Sequence, residues 1–133
     1  MREFDVDDIR IMAAFENITQ VGVRDCLRKN VIYFLVDKGK ASMAIGREGQ
    51  TIKTAEKMLG KQIKVYEYSD DAEELIKNLI PQAKKIEING NKTATITLDS
   101  KDKGLVIGKD GNNIKIIKEI LVRNSDVMDL RIF

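Results

Sequence analysis

The sequence predicts an α+β protein made of two similar domains, each with a three-stranded sheet packed with three helices. Two observations lead to this prediction: an internal repeat, and the same order of helical and strand-like segments in each half. Residues 43–59, MAIGREGQTIKTAEKML, align without gaps with residues 105–121, LVIGKDGNNIKIIKEIL, and six of the 17 pairs are identical. This 62-residue offset in a chain of 133 residues predicts one domain over 1–68 and a second over 69–133.

The first half begins with a predicted helix, whose apolar face we assign to Ile9, Met12 and Ala13. The later run VIYFLV is continuously apolar, so we expect it to form the central strand of its sheet. In order, the predicted elements are a helix, two strands, two helices and a strand, over residues 7–16, 20–30, 31–36, 40–45, 50–59 and 61–68.

The second half repeats this order. Asp70, with Glu73 three residues later, predicts a capping box at the start of its first helix, and Pro81 ends that helix. Asn89-Gly90, between two β-prone segments, predicts a hairpin turn. The predicted elements are a helix, two strands, a short helix, a longer helix and a strand, over residues 70–80, 84–88, 93–98, up to 107, 112–122 and 126–133.

Each repeat contains a short loop with the order glycine, base, acid, glycine between two predicted helices: Gly46-Arg47-Glu48-Gly49 and Gly108-Lys109-Asp110-Gly111. A corner between helices needs residues that tolerate unusual backbone angles, so a plain turn is one interpretation of the glycines. Phosphate binding is the other, because the charge order recurs and glycine leaves the peptide N–H groups open to an anion. The N-terminus of the following helix would add partial positive charge.

The positive charge of the chain collects around these loops. The net charge is only +2, but residues 38–64 hold seven basic and two acidic residues, and residues 101–123 hold six basic and three acidic residues. Such a distribution is typical of a surface that meets phosphates. Neither loop matches the P-loop pattern G-x-x-x-x-G-K-[ST], and both follow helices rather than strands, so a nucleotide-binding turn is not indicated.

The composition argues against catalysis. The chain has no histidine and a single cysteine, Cys26, which excludes His-based catalysis, CxxC zinc sites and disulfides. We therefore predict that the protein is not an enzyme and has no cofactor. No apolar run approaches the roughly 20 residues that span a bilayer, and the N-terminal MREFDVDDIR lacks the apolar core of a signal peptide. We expect a cytoplasmic protein without a membrane partner.

A G-x-x-G loop joining two helices beside a three-stranded sheet is the layout of the KH module, which clamps four nucleotides of single-stranded nucleic acid. Because each half places an extra helix and strand before that core, the order resembles the type II KH topology. The stretches VIYFLVDKGKASMAIGREG, GLVIGKDGNNIK and DVMDLRIF resemble the archaeal NusA-related transcription factors, and the similarity covers essentially the whole chain. This resemblance implies two tandem type II KH domains that bind nascent RNA during transcription elongation, termination or antitermination.

Carried over to this chain, the resemblance places phosphate contacts on all four residues of each loop, and bases in an apolar groove beside it. Lys53 and Lys115 lie one turn into the following helices, where they could reach a neighbouring phosphate; solvated helix faces are the alternative. The residues offered for the two grooves are Ile45, Ile52, Ile63 and Val65 in the first half, and Ile107, Ile114 and Leu130 in the second. Core packing is the alternative for each of these aliphatic residues.

Single-stranded RNA is therefore the expected partner, RNA polymerase is a further one, and we expect a monomer. A scaffold that mainly binds protein stays open as a second reading, because the chain outside the two basic segments is acidic. Removing charge from the loops separates these readings, since only an RNA-binding protein would lose RNA as a result.

Overall fold

The computed structural model describes residues 4–133, which divide by their contacts into two compact units, one ending at Tyr68 and the other beginning at Ser69. In this part of the chain each unit contains a three-stranded sheet and three α-helices, in the order helix, two strands, two helices and a strand. The predicted α+β fold class and the predicted order of elements are confirmed. No helix in residues 4–133 combines the length and the apolar character needed to cross a membrane.

In the first unit the central strand is the apolar one, as predicted. Its strand β2 pairs antiparallel with β1 and parallel with β3, so the sheet is mixed and the chain crosses over through two helices between β2 and β3. The elements are α1 (Val6–Thr19), β1 (Val23–Arg28), β2 (Ile32–Val36), α2 (Ala41–Ile45), α3 (Gln50–Leu59) and β3 (Ile63–Glu67).

The predicted apolar face of α1 is right for Met12, which packs against the core of the first unit, and wrong for Ile9 and Ala13. Ile9 is 56% exposed and Ala13 is also exposed, whereas Phe15 is fully buried and stacks on Phe34 of β2 with ring centroids 4.0 Å apart. The rotation of α1 is set partly by a buried carboxylate, because Asp8 accepts a hydrogen bond from Nε of Arg28 at 2.8 Å. Hydrophobic periodicity cannot register a polar residue that faces the core, so the sequence pattern selected a neighbouring face.

In the second unit the central strand is β5, antiparallel to β4 and parallel to β6. The hairpin predicted at Asn89-Gly90 is present, but the residue with a left-handed backbone is Lys92, with φ of 64°. The elements are α4 (Ala72–Leu79), β4 (Lys85–Ile88), β5 (Thr93–Thr97), α5 (Ser100–Ile107), α6 (Asn112–Asn124) and β6 (Asp129–Ile132).

The start of α4 corrects the predicted capping box. Asp71, not Asp70, is the N-cap, and its carboxylate accepts a hydrogen bond from the backbone N–H of Glu74 at 3.1 Å. The shift by one residue follows from Ser69, which is buried and whose Oγ accepts a hydrogen bond from the Asp71 N–H at 3.1 Å. The chain therefore turns at Ser69, and the helix begins one residue later than the sequence pattern indicates.

Candidate nucleic-acid interface

The two glycine-containing loops, residues 46–49 (the first loop) and residues 108–111 (the second loop), have nearly the same backbone. The first, third and fourth residues have φ of 80°, 54° and 74° in the first loop, and of 76°, 56° and 73° in the second. In each loop the N–H of the last glycine donates to the carbonyl of the first, at 3.1 Å and 3.2 Å respectively. The duplication seen in the sequence is therefore also a duplication of loop geometry.

Steric contact explains the glycine at the first position of each loop. A Cβ on Gly46 would lie 2.8 Å from the backbone nitrogen of Thr51, and a Cβ on Gly108 would lie 2.9 Å from that of Asn113. The following helix thus packs against the loop backbone at a distance that no other residue permits. The last glycines, Gly49 and Gly111, require only their positive φ, because a Cβ there would come no closer than 3.9 Å to another atom.

The acidic third residues also have left-handed backbones. Glu48 has φ of 54° and Asp110 has φ of 56°, and both side chains are exposed. A left-handed backbone costs a non-glycine residue roughly 1–2 kcal/mol, and less for aspartate, whose short side chain hydrogen-bonds locally. Three of the four residues in each loop therefore have a positive φ. The sequence pattern indicated this for the glycines but not for the acidic residues.

Basic side chains surround each loop. Arg47 and Lys109 are exposed, and within residues 4–133 neither forms an ion pair. The Cε atoms of Lys53 and Lys115 would lie 3.9 Å and 4.0 Å from a Cβ built on the last glycine of their loops. Both lysine side chains therefore extend along their loops, so their ammonium groups lie close to the loop backbone. A phosphate contact by these lysines, which the sequence suggests, needs this placement.

The helices that follow the loops begin without a capping side chain. The N-caps of α3 and α6 are Gly49 and Gly111, and among residues 4–133 no side chain accepts a hydrogen bond from either first turn. The first N–H groups of a helix have no intrahelical partner and carry partial positive charge, so such a terminus accommodates an anion. Loop glycines, helix terminus and flanking bases thus converge on one small surface in each unit.

The aliphatic residues offered for the grooves differ in exposure. Ile45 is 39% exposed, Ile52 and Val65 are partly buried against the core of the first unit, and Ile63 is buried. In the second unit Ile107 and Ile114 are partly buried, whereas Leu130 is buried. Ile63 and Leu130 therefore contribute to packing, and the accessible apolar surface among these residues comes from the helices and from Val65 of β3.

Two exposed apolar residues beside the loops were not selected from the sequence. Met43 is 51% exposed and Leu105 is 69% exposed, and each lies three residues before the first glycine of its loop. These two residues correspond to each other at the 62-residue offset of the repeat. The recurrence of a large apolar residue at this position was the signal that could have identified both as candidate site residues. Because apolar residues in short helices usually face the core, that signal was not interpreted as surface.

Comparisons with known proteins agree with this geometry. A KH domain model matches residues 9–80, and a model of the NusA-like second KH domain matches residues 72–132. The crystal structure of APE1850 superposes with a TM-score of 0.81 at 35% identity, covering 98% of this chain and all of that one.

Curated archaeal relatives named probable transcription termination protein NusA align over most of the chain. The protein from Halococcus morrhuae is 32% identical over 129 residues, which are 93% of this chain and 93% of the relative. The protein from Methanocaldococcus jannaschii is 29% identical over 132 residues, which are 95% of this chain and 72% of the relative. This chain therefore belongs to the family of archaeal NusA-related proteins with tandem KH domains.

Proposed function

We propose that this protein binds single-stranded RNA through both loops and acts on nascent transcripts during transcription elongation, termination or antitermination. The observation that carries the proposal is the repeated loop, in which glycines with positive φ lead into an uncapped helix N-terminus flanked by bases. The names of the archaeal relatives support the setting in transcription. In that setting RNA polymerase is a natural protein partner, and we assign the two domains to residues 1–68 and 69–133.

In this proposal the RNA backbone lies on the loops. Phosphate oxygens accept hydrogen bonds from the loop and from the first turn of the following helix, and Arg47, Lys53, Lys109 and Lys115 balance their charge. A KH loop clamps four nucleotides, so each unit holds a short piece of the strand. The accessible apolar residues beside the loops would contact the bases: Met43, Ile45, Ile52, Leu105, Ile107 and Ile114.

The experiment that tests the proposal compares single-stranded and duplex RNA of the same sequence by fluorescence anisotropy at several salt concentrations. We expect the single strand to bind far more tightly and its affinity to fall with salt. The double variant Arg47→Gln/Lys109→Gln should weaken binding to all sequences and flatten the log–log salt dependence by roughly 0.7 per lost phosphate contact.

A matched control removes the same charge away from the loops, in the double variant Lys29→Gln/Lys92→Gln. Lys29 is exposed and lies in the turn between β1 and β2, where its carbonyl accepts a hydrogen bond from Lys61, beyond the end of α3 that is opposite to the first loop. The carbonyl of Lys92 accepts a hydrogen bond from the N–H of Met128, beyond the far end of α6. Equal binding of duplex and single strand, or equal effects of the two double variants, would favour the alternative of a protein-binding scaffold.

A further inference from the structure

The second loop is crossed by a side-chain hydrogen bond. Nδ2 of Asn113 donates to the carbonyl oxygen of Val106 at 2.8 Å. Asn113 is the second residue of α6, and Val106 lies in the last turn of α5. This hydrogen bond therefore fastens the helix after the loop to the helix before it.

The carbonyl that Asn113 reaches would otherwise lack a helical partner. The carbonyl groups in the last turn of a helix have no intrahelical donor. In α5 the final helical bond runs from the N–H of Gly108 to Gly104, and the backbone then leaves the helix with φ of 76° at Gly108. Val106 is only 2% exposed, so an unpaired carbonyl there would be costly.

The first loop has no equivalent fastening. Thr51 occupies the position of Asn113, and Ala44 occupies that of Val106, at the 62-residue offset. Among the hydrogen bonds of residues 4–133, none joins the Thr51 side chain to the Ala44 carbonyl. Both side chains pack on the first glycine of their own loop, since the Cβ atoms of Thr51 and Asn113 would each lie 2.7 Å from a Cβ built on that glycine. Only Asn113 also reaches the preceding helix.

We infer that Asn113 is a positioning residue for RNA, which holds the second loop in its phosphate-binding geometry before the strand arrives. The inference rests on the proposed function. A site that is already ordered loses less conformational entropy on binding, so more of its contact energy appears as affinity. The second loop should therefore contribute more to RNA binding than the first, although the two share one backbone conformation.

The test uses the full chain and a fluorescein-labelled single-stranded RNA of random sequence. Asn113→Ser removes the amide that donates to the Val106 carbonyl. The matched control is Asn89→Ser, because Asn89 lies in the turn between β4 and β5, is exposed and makes no side-chain hydrogen bond within residues 4–133. We expect Asn113→Ser to bind RNA about five-fold more weakly, because the loop loses one hydrogen bond that orders it before the RNA binds. The salt dependence of binding should also flatten by about 0.7, because a loosened second loop no longer holds Lys109 on its phosphate; lost fold stability alone would not produce this change. The control should retain the wild-type values.

The reverse substitution keeps the inference open to refutation if Asn113→Ser does not fold. Thr51→Asn places the same amide beside the Ala44 carbonyl, and we expect tighter RNA binding. If Asn113→Ser folds and keeps the wild-type RNA affinity and salt dependence, the inference is overturned. If Asn113→Ser does not fold, the inference is overturned when Thr51→Asn binds RNA no more tightly than the wild-type chain. Failure of the wild-type chain to bind single-stranded RNA would overturn the proposed function itself and is recognised before any variant is measured.

Discussion

The first and second loops share one backbone conformation but differ in their side chains. The third loop residue has φ of 54° in the first loop, where it is Glu48, and of 56° in the second, where it is Asp110. Three residues later the first unit has Thr51 and the second has Asn113. In both loops the backbone is fixed by glycine and by the close approach of the next helix. The side chains differ in how well they suit that backbone, because aspartate tolerates a left-handed φ better than glutamate and only asparagine donates across the loop. The fold therefore sets the backbone conformation of both loops, and the side chains set how stable that conformation is in each.

The largest expected effect is at the first glycine of each loop. Gly46→Ala and Gly108→Ala would each combine a positive φ with a clash against the next helix, so we expect a loss of about 3 kcal/mol in the free energy of unfolding. Gly49→Ala and Gly111→Ala would make only ordinary van der Waals contacts, so their positive φ alone should cost about 1 kcal/mol. Urea denaturation measures all four, and equal losses at the first and last glycines would show that the helix contact is not the constraint.

The two units also differ at their first helices. In α1 the carboxylate of Asp8 accepts a hydrogen bond from Arg28, whereas at the start of α4 the Ser69 hydroxyl and the Asp71 carboxylate accept hydrogen bonds from backbone N–H groups. Burial by itself raises the pKa of Asp8, but hydrogen bonds from Arg28 and from the Asp5 backbone outweigh it, so the pKa lies below the ordinary value of 3.8. Asp8→Asn should therefore cost about 1.5 kcal/mol at neutral pH, an estimate reduced for the partial exposure of Arg28.

The pH dependence of that contribution follows from the direction of the shift. A depressed folded-state pKa gives stability that is present above the unfolded value near 3.8 and is lost as the pH falls through the lower folded value. The wild-type chain should thus lose its advantage over Asp8→Asn below about pH 4. Asp7→Asn, an exposed neighbour in the same turn, is the control. A constant difference in unfolding free energy from pH 7 to pH 3 would contradict the assignment.

Replacing the acidic residue at the third loop position measures how much backbone strain each loop carries there. Glu48→Gly removes a left-handed glutamate and should stabilise the chain by about 1 kcal/mol, whereas Asp110→Gly should gain less. Thermal unfolding of the two variants measures this difference. If Asp110→Gly gains as much as Glu48→Gly, the side chains do not distinguish the loops in the way their propensities suggest.

The smallest effect concerns the charge of the same acids. Glu48→Gln and Asp110→Asn remove a negative charge beside the expected phosphates, so RNA affinity should rise by at most about 1 kcal/mol at an exposed site. Titration with single-stranded RNA checks the direction. A lower affinity of either variant would mean that the carboxylate accepts a hydrogen bond from a base, and that it contributes to selectivity instead.

Much of the fold could be predicted from the sequence, because repetition and periodicity are properties of the chain itself. The repeat gave the order of elements, and the apolar run ending at Val36 gave the central strand of the first sheet. The missed features depend on side chains that meet only after folding. Asp8 faces the core because Arg28 is there, and Asp71 becomes the N-cap of α4 because Ser69 Oγ accepts a hydrogen bond from its N–H.

The candidate site divides in the same way. The glycines and bases were identified from spacing, and the structure brings them together in each unit. The left-handed backbone of Glu48 and the reach of Asn113 to Val106 require the three-dimensional path of the loop, which no pattern of residue types encodes. Exposure of Met43 and Leu105 likewise depends on how a short helix is rotated against its sheet.

The mixed pairing of each sheet has a consequence for the order in which the chain acquires its shape. β1 and β2 pair across a tight turn, with Arg28 opposite Ile32, whereas β2 meets β3 only when Ile32 reaches Ile63. Closing that longer segment costs more chain entropy, so the parallel pairing should form late. Because the first loop lies inside the segment, it should take its final geometry only when β3 docks. Substitutions in the β1–β2 hairpin should then slow folding, while substitutions in β3 should mainly speed unfolding, and in stopped-flow measurements the reverse pattern would place the loop among the first parts of the molecule to form.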